Sequence, residues 1–431
     1  MKTFDYQQAF GAWDKTTLAM EAAIRDWYDL YYRSRPEDKS DPSQRIAYTV
    51  VHKLVRAVFS EYKASCREKA AILERLSDLA PKAMQMALVG GECYLKPYPT
   101  EGGMAFTLVS RKNILVFGRD AGGELTDVGT VEKTVRGKYY YTLLERRTLK
   151  EGYLTIENKL YRSLNADHLG QPVPLGEHPA YKDLPMRWVF PEKLGSVGMV
   201  RLKTPLLNCV DESADGVSVY AAAAGLIRLI DENEAQLAGE FRRGESRIIA
   251  SSDLLDKDDR LSQNLFIGLD DDPEQVGLTI FSPQLREQSY LARKQEYLRS
   301  IESVIGLQRG MLSEVNAMER TATEVSASAG EYALTVMDFQ KAWEQCLRKT
   351  LHLCAILGKV YGLPCAVSEL SVEWGNGVLY DEDKLWQDYK DMVSRGLIAP
   401  EIALGWRFGM ACDTEEERQA IRNKYFAHGQ A

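Results

Sequence analysis

Side chains capable of chemistry gather in two places in this sequence. Between Gly244 and Pro283 stand Asp253, Asp256, Asp258, Asp259, Asp270, Asp271, Asp272 and Glu274, with few basic residues among them. Carboxylates in that density raise the question of a divalent cation. Neither Asp256 and Asp258 nor Asp270, Asp272 and Glu274, however, begins a run with glycine at the sixth loop position and glutamate at the twelfth, which a calcium loop needs for its turn and its bidentate ligand. The stretch reads as a solvated acidic loop. The second place is Leu307 to Arg320, where Gln308, Arg309, Asn316 and Arg320 are suited to phosphate oxygens, arginine in a bidentate manner. Met311, Leu312 and Val315 leave the same stretch partly apolar. Sequence alone leaves open whether it is a contact loop or an ordinary helix connection.

The five histidines, His52, His168, His178, His352 and His428, share no metal-ligand or catalytic spacing. The phosphate-binding Gly-x-x-x-x-Gly-Lys-Ser/Thr, the G-x-S-x-G elbow and H-E-x-x-H are all missing. Neither a cofactor nor a metal is expected. With 45% apolar and 27% charged residues over 431 positions, the chain is long enough for two or more structural units. A net charge of -8 argues against a protein that coats nucleic acid electrostatically, which would carry a basic face. The N-terminus MKTFDYQQAF has no signal-like architecture, and the longest uncharged apolar run, Val217 to Ile227, is too short to span a bilayer. A non-secreted protein with no membrane association is expected. Seven cysteines without a C-x-x-C pair fit a reducing compartment, with Cys346 and Cys354 as small core residues.

The elements that hold these residues follow from periodicity. Val325, Ala329, Tyr332, Val336, Phe339, Trp343, Leu347, Leu351, Cys354, Leu357 and Val360 recur at helical spacing and predict one helix from Thr321 to Tyr361. Thr321 and Glu324 form a capping box at its start, and Gly362 suits a left-handed stop. A second helix is predicted from Gln284 to Ile305, ending at Gly306, so two long helices flank the candidate loop. Upstream, the pattern predicts helices from Thr16 to Tyr32, from Pro42 with Asp41 as cap and Ile46, Val50, Leu54 and Val58 on one face, and from near Glu68 with a break at Pro81 and an end at Gly90. Alternating runs from Glu92 to about Leu164 predict antiparallel strands. Asn165 to Leu207 reads as irregular. Asp215 to Arg243 is predicted helical, with Leu226, Ile230, Leu237 and Phe241 on its apolar side. Beyond the long helix come a strand over Leu370 to Trp374 and helices from Asp381, from Pro400 and from Thr414 or Asp413.

Ile305-Gly306-Leu307, a short loop, and R-T-A-T-E-V over Arg320 to Val325 opening a very long helix resemble the portal proteins of tailed bacteriophages, in the branch found in phages of Gram-positive hosts. GGECYLKPY, YYYTLLERRT and ENKLYRS strengthen the resemblance, which runs from about Tyr48 to about Asn423. It implies an α+β, phage-portal-like fold: a wing over 1–214, stem helices at 215–243 and 284–306, a clip at 244–283, a tunnel loop at 307–320, a long wing helix at 321–362 and a short helical crown at 363–431. It also implies a non-enzymatic, dodecameric ring at one capsid vertex of the virion, assembled in the host cytoplasm. Double-stranded DNA would pass through the ring for packaging and ejection. Large terminase and head-tail connectors would dock on the acidic clip through Asp253, Asp256, Asp258 and Asp259, and major capsid and scaffolding proteins would surround it. Gln308, Arg309, Asn316 and Arg320 would then touch DNA. Arg286 and Arg293 either add positive charge to the channel or form ion pairs between subunits. The rival from another class is a metal-dependent nuclease or hydrolase on an α+β body.

Overall fold

A computed structural model describes residues 3–32, 41–66, 71–244, 247–251, 266–269, 279–281, 285–314, 322–363, 369–375, 382–412 and 414–426. The chain divides into two compact units, one of residues 1–58 and 64–372, the other of residues 59–63 and 373–431.

In the larger unit the N-terminal helices are α1 (Thr3–Phe10), α2 (Leu18–Tyr31), α3 (Ile46–Phe59) and α4 (Ala71–Gly90). Helix α1 was not legible in the sequence: it is short, and it holds through Tyr6 and Phe10, which pack on Leu115, Phe117, Val131 and Leu144. The side chain of Thr17 caps α2 by accepting from the Met20 N–H. Pro42 does not open α3. Asp41 instead accepts from the Ser43 N–H, Asp231 accepts from the Gln44 N–H, and the backbone turns through left-handed Arg45 before helix begins at Ile46. Nor does Pro81 break α4, which runs through it; the ring lies on the exposed side, where water can serve the carbonyl that has lost its N–H partner.

The strand region from Glu92 to Ser163 is antiparallel, as its alternation predicts. β1 (Lys63–Ser65) pairs with β14 (Ser371–Glu373) in a small ribbon. One three-stranded sheet has the order β10-β2-β3, from β2 (Glu92–Thr100), β3 (Gly103–Ser110) and β10 (Val200–Lys203). A six-stranded sheet runs β4 (Ile114–Arg119), β5 (Leu125–Arg136), β6 (Tyr139–Lys150), β7 (Tyr153–Ser163) and β8 (Gln171–Val173), with β9 (Arg187–Lys193) also on β7. Residues 165–207 are thus not irregular throughout. Strands β8 and β9 lack a hydrophobic alternation of their own and add to an edge that already exists, while β10 alternates over only four residues. A third sheet, β12-β11-β13, is built from β11 (Arg247–Ser251), β12 (Phe266–Leu269) and β13 (Thr279–Phe281).

Residues 215–220 are not helical either. Helix α5 (Ala224–Arg243) starts later, after a 3-10 turn at Ala221–Ala223. Tertiary bonds capture the preceding backbone: the Val219 N–H and Ser218 hydroxyl donate to the Leu88 carbonyl, and the Gly216 N–H donates to Glu92 at 2.8 Å. Glu92 is fully buried beside Arg111 and Arg201, while Asp215 takes Arg111 and Arg119. Burial pushes the Glu92 carboxyl up, but these cations and the Tyr94 hydroxyl outweigh it and hold it below its ordinary value. Phe241, predicted on the apolar side of α5, is 44% exposed.

The predicted long helix is α7 (Ala322–Tyr361), 40 residues or roughly 60 Å. Thr321 and the side chains of Glu324, Val325 and Ala329 lie outside the described residues. From Tyr332 to Leu357 the stripe is buried, with Val336, Trp343, Leu347 and Cys354 wholly inaccessible. It packs on α4, β2 and β10, and each large side chain contributes about 1.5–3 kcal/mol by leaving water.

The smaller unit carries α8 (Glu382–Ser394), α9 (Pro400–Phe408) and α10 (Glu415–Tyr425). Pro400 opens α9 and left-handed Gly409 closes it. The Thr414–Glu417 capping box forms at α10.

Candidate functional site: the loop after α6

Helix α6 (Glu287–Ile305) lies antiparallel to α5. Asn233 donates to the Tyr290 carbonyl, and Lys294 donates to Glu234 at 2.8 Å and to Gln44 at 3.0 Å. Arg286 stands at the N-cap, so the helix begins three residues later than its pattern suggested. Its guanidinium and its backbone N–H both bond Glu240, with Nε–Oε1 at 3.0 Å and Nη2–Oε2 at 3.1 Å. Arg286 thus has an ion-pair partner within its own chain. Those bonds draw the Glu240 carboxyl down to about 2. Arg293 lies over the Tyr297 ring, 4.6 Å from its centroid. Both arginines line one cleft of about 420 Å³, with Leu229, Asn233, Tyr290 and Tyr297.

Helix α6 stops at left-handed Gly306, φ 76°, where the Leu307 N–H returns to the Glu302 carbonyl at 2.8 Å. The Met311 N–H then closes a turn on the Gln308 carbonyl at 3.1 Å, with Arg309 second and Gly310 third. Gly310 has φ 94°, which the third position of a type II turn requires. Arg309 is thus exposed at a turn tip, and Gln308 beside it is half-buried.

The turn is held from behind by Glu302, which is 1% exposed. Its Oε1 accepts from the N–H groups of Gly310 at 3.1 Å, Leu312 at 2.5 Å and Ser313 at 2.8 Å, and its Oε2 accepts from the Ser313 hydroxyl at 2.8 Å. Farther on, the Glu314 N–H donates to the Gln295 side chain at 2.8 Å. Gln295 lies about three turns before Gly306, so the loop doubles back along α6 for about 16 Å. Sequence reasoning missed Glu302 and Gln295. The available signal was position: Glu302 falls on the apolar stripe of Leu298, Ile301 and Ile305, where a charge needs a reason.

Asn316 and Arg320, and Asp253, Asp256, Asp258 and Asp259 with the rest of the acidic stretch, lie outside the described residues. Among the described residues no group of three or more His, Cys, Asp or Glu is placed to hold a metal ion, and no helix is long and apolar enough to cross a membrane. The loop's chemistry is that of contact: an exposed arginine on a braced backbone.

A family model described as "Phage portal protein, SPP1 Gp6-like" matches residues 71–423. Among solved structures, a chain in the "Neck of native GTA particle computed with C12 symmetry" matches with a TM-score of 0.46, 12% identity and coverage of 97% of this chain and 99% of that one. A chain in the "Neck of empty GTA particle computed with C6 symmetry" gives 0.45, 14%, 87% and 93%. No curated protein matches the sequence.

Proposed function

The chain belongs to the SPP1 Gp6-like family of phage portal proteins, and from that premise we propose a dodecameric ring in which α5, α6 and the loop after α6 line the channel. Portal proteins of this family are structural: the chain builds the channel of the virion's portal vertex. On the proposed reading, double-stranded DNA passes through that channel inward during packaging and outward at ejection. Residues 244–283 form the clip, where large terminase and later head-tail connectors dock on Asp253, Asp256, Asp258 and Asp259. The N-terminal helices, the sheets and α7 make the wing that meets capsid and scaffolding proteins, and residues 363–431 make the crown. Assembly takes place in the host cytoplasm.

The observation that carries this reading is Arg309, exposed at the tip of a braced turn between two long helices. One such cation per subunit, in a chain of net charge -8, suits a duplex that must move. Many tight phosphate contacts would each add a salt-dependent free energy to be broken at every step. A mostly acidic or neutral wall lets the duplex pass, and a few loop cations grip it briefly. Asn316 and Arg320 are assigned to the same contact. Nothing in the comparisons favours the nuclease alternative.

The test is the mass of the purified protein by light scattering, then negative-stain imaging of the same fraction, alone and with scaffolding protein. Rings with a central hole are expected. A monomer under both conditions, across salt and protein concentration, refutes the proposal. In assembled particles, Arg309→Ala and Arg320→Ala should lower the amount of DNA packaged while leaving ring formation intact.

A further inference from the structure

Resting on the channel reading, we propose that Glu302 is the positioning residue of the DNA-contacting loop. The inference comes from how one residue holds both sides of the turn tip. On the near side, the Glu302 main-chain carbonyl accepts from the Leu307 N–H, and Leu307 is itself buried. On the far side, the Glu302 carboxylate accepts from Gly310, Leu312 and Ser313. Only Gln308 and Arg309 lie between the two anchors. The backbone that carries Arg309 is therefore fixed from the last turn of α6.

A carboxylate this buried is costly unless its lone pairs are filled, and four donors fill them, all from the loop. The converse also holds: without Glu302, the three amides of Gly310, Leu312 and Ser313 lose their charged acceptor at once. Charge-assisted bonds of this kind are about twice as strong as neutral ones. Aspartate cannot substitute, because it is one methylene short of the loop. Glutamine can keep an oxygen facing the three amides and turn its NH2 toward the Ser313 hydroxyl, so it serves as the conservative control.

The test follows amide exchange, ring formation and packaging together in Glu302→Gln, Glu302→Asp, Glu302→Ala and Ser313→Ala, with Arg309→Ala as comparator. Exchange protection at Gly310, Leu312 and Ser313 should fall roughly tenfold in Glu302→Gln and roughly a hundredfold in Glu302→Asp and Glu302→Ala. Rings should still form. Packaging should fall in Glu302→Ala to the level of Arg309→Ala, and the double variant should be no worse than Arg309→Ala alone, because Glu302 acts through Arg309. Glutamine should restore most of the packaging. Should Glu302→Ala fail to fold, Ser313→Ala still tests the brace, since it removes one bond without altering α6; protection at Gly310 and Leu312 should then drop severalfold. Wild-type packaging in Glu302→Ala rings, additive losses in the double variant, or unchanged exchange in both Glu302→Ala and Ser313→Ala would overturn the inference and leave the channel reading standing. A wild-type protein that neither forms rings nor supports packaging would instead overturn the channel reading.

Discussion

Replacing Gly306 with alanine tests whether the joint between α6 and its loop is fixed by backbone geometry. Gly306 has φ 76°, and an alanine there incurs about 1–2 kcal/mol for left-handed backbone. A Cβ at this position would stand 2.5 Å from Thr335 Oγ1 on α7, which must then rotate. Rotation gives up the bond from Thr335 to the Glu331 carbonyl at 3.2 Å and strains a β-branched rotamer, for about 1 kcal/mol more. Gly306→Ala should therefore destabilise by about 2–3 kcal/mol. Thr335→Ala alone should be near neutral, since alanine favours helix. In the double variant the clash is gone and only the backbone term remains, so a thermodynamic cycle should show coupling of about 1 kcal/mol. Urea unfolding of the four proteins under non-assembling conditions measures it. Additivity within about 0.5 kcal/mol, or a stable Gly306→Ala, would mean that α7 does not press on the joint.

Three other outcomes follow from the same geometry. Buried Glu145 meets Arg147 at 2.7 Å and Lys96 at 3.3 Å; burial pushes its carboxyl up, but these cations outweigh it and hold it at about 2 against an ordinary 4.5. Because the folded value is the lower one, the pair stabilises fully above about pH 4.5 and is lost as pH falls toward 2, up to about 3 kcal/mol; acid unfolding of Glu145→Gln should lack that slope. Arg286→Ala should leave packaging and its salt dependence unchanged, since Glu240 already occupies the guanidinium; a loss equal to that of Arg309→Ala would contradict this. Trp343→Ala should cost about 3–5 kcal/mol from a site with no solvent access, read as a lowered melting temperature, with Trp343→Phe milder.

Periodicity revealed what periodicity builds. The α7 stripe, the Ile46, Val50, Leu54 and Val58 face of α3, and the antiparallel strands between Glu92 and Ser163 were legible because burial repeats along each element. Misreadings came where a distant partner decides local structure. Pro42 and Asp215 carried plausible helix-start signals, yet Asp231 and Leu88 bind those backbones and keep them extended or turned. Strands β8 to β10 exist by pairing to an edge that no window of sequence contains. At the candidate site Gln308 and Arg309 are singled out by residue type alone, and Gly306 by its place after an aliphatic residue. Glu302 is not, because a glutamate near a helix end resembles an ordinary solvated one until its stripe neighbours are counted.

Three of the five buried carboxylates among the described residues bond across joints between one element and the next. Glu92 secures the non-helical approach to α5, Glu145 bonds Lys96 of β2 and Arg147 of its own strand β6, and Glu302 fixes the loop after α6. Apolar burial is non-directional and would accept several arrangements at such places, whereas a carboxylate with fixed donors accepts one. Replacing such ions with apolar residues need not cost stability, so stability alone does not account for them. We infer that uniqueness of shape does: in a subunit copied around a ring, a small angular ambiguity at one joint would recur in every copy and hinder closure. Directional charge at the joints and generic hydrophobic packing along α7 are therefore complementary answers to one requirement, that each subunit offer its neighbours the same surface.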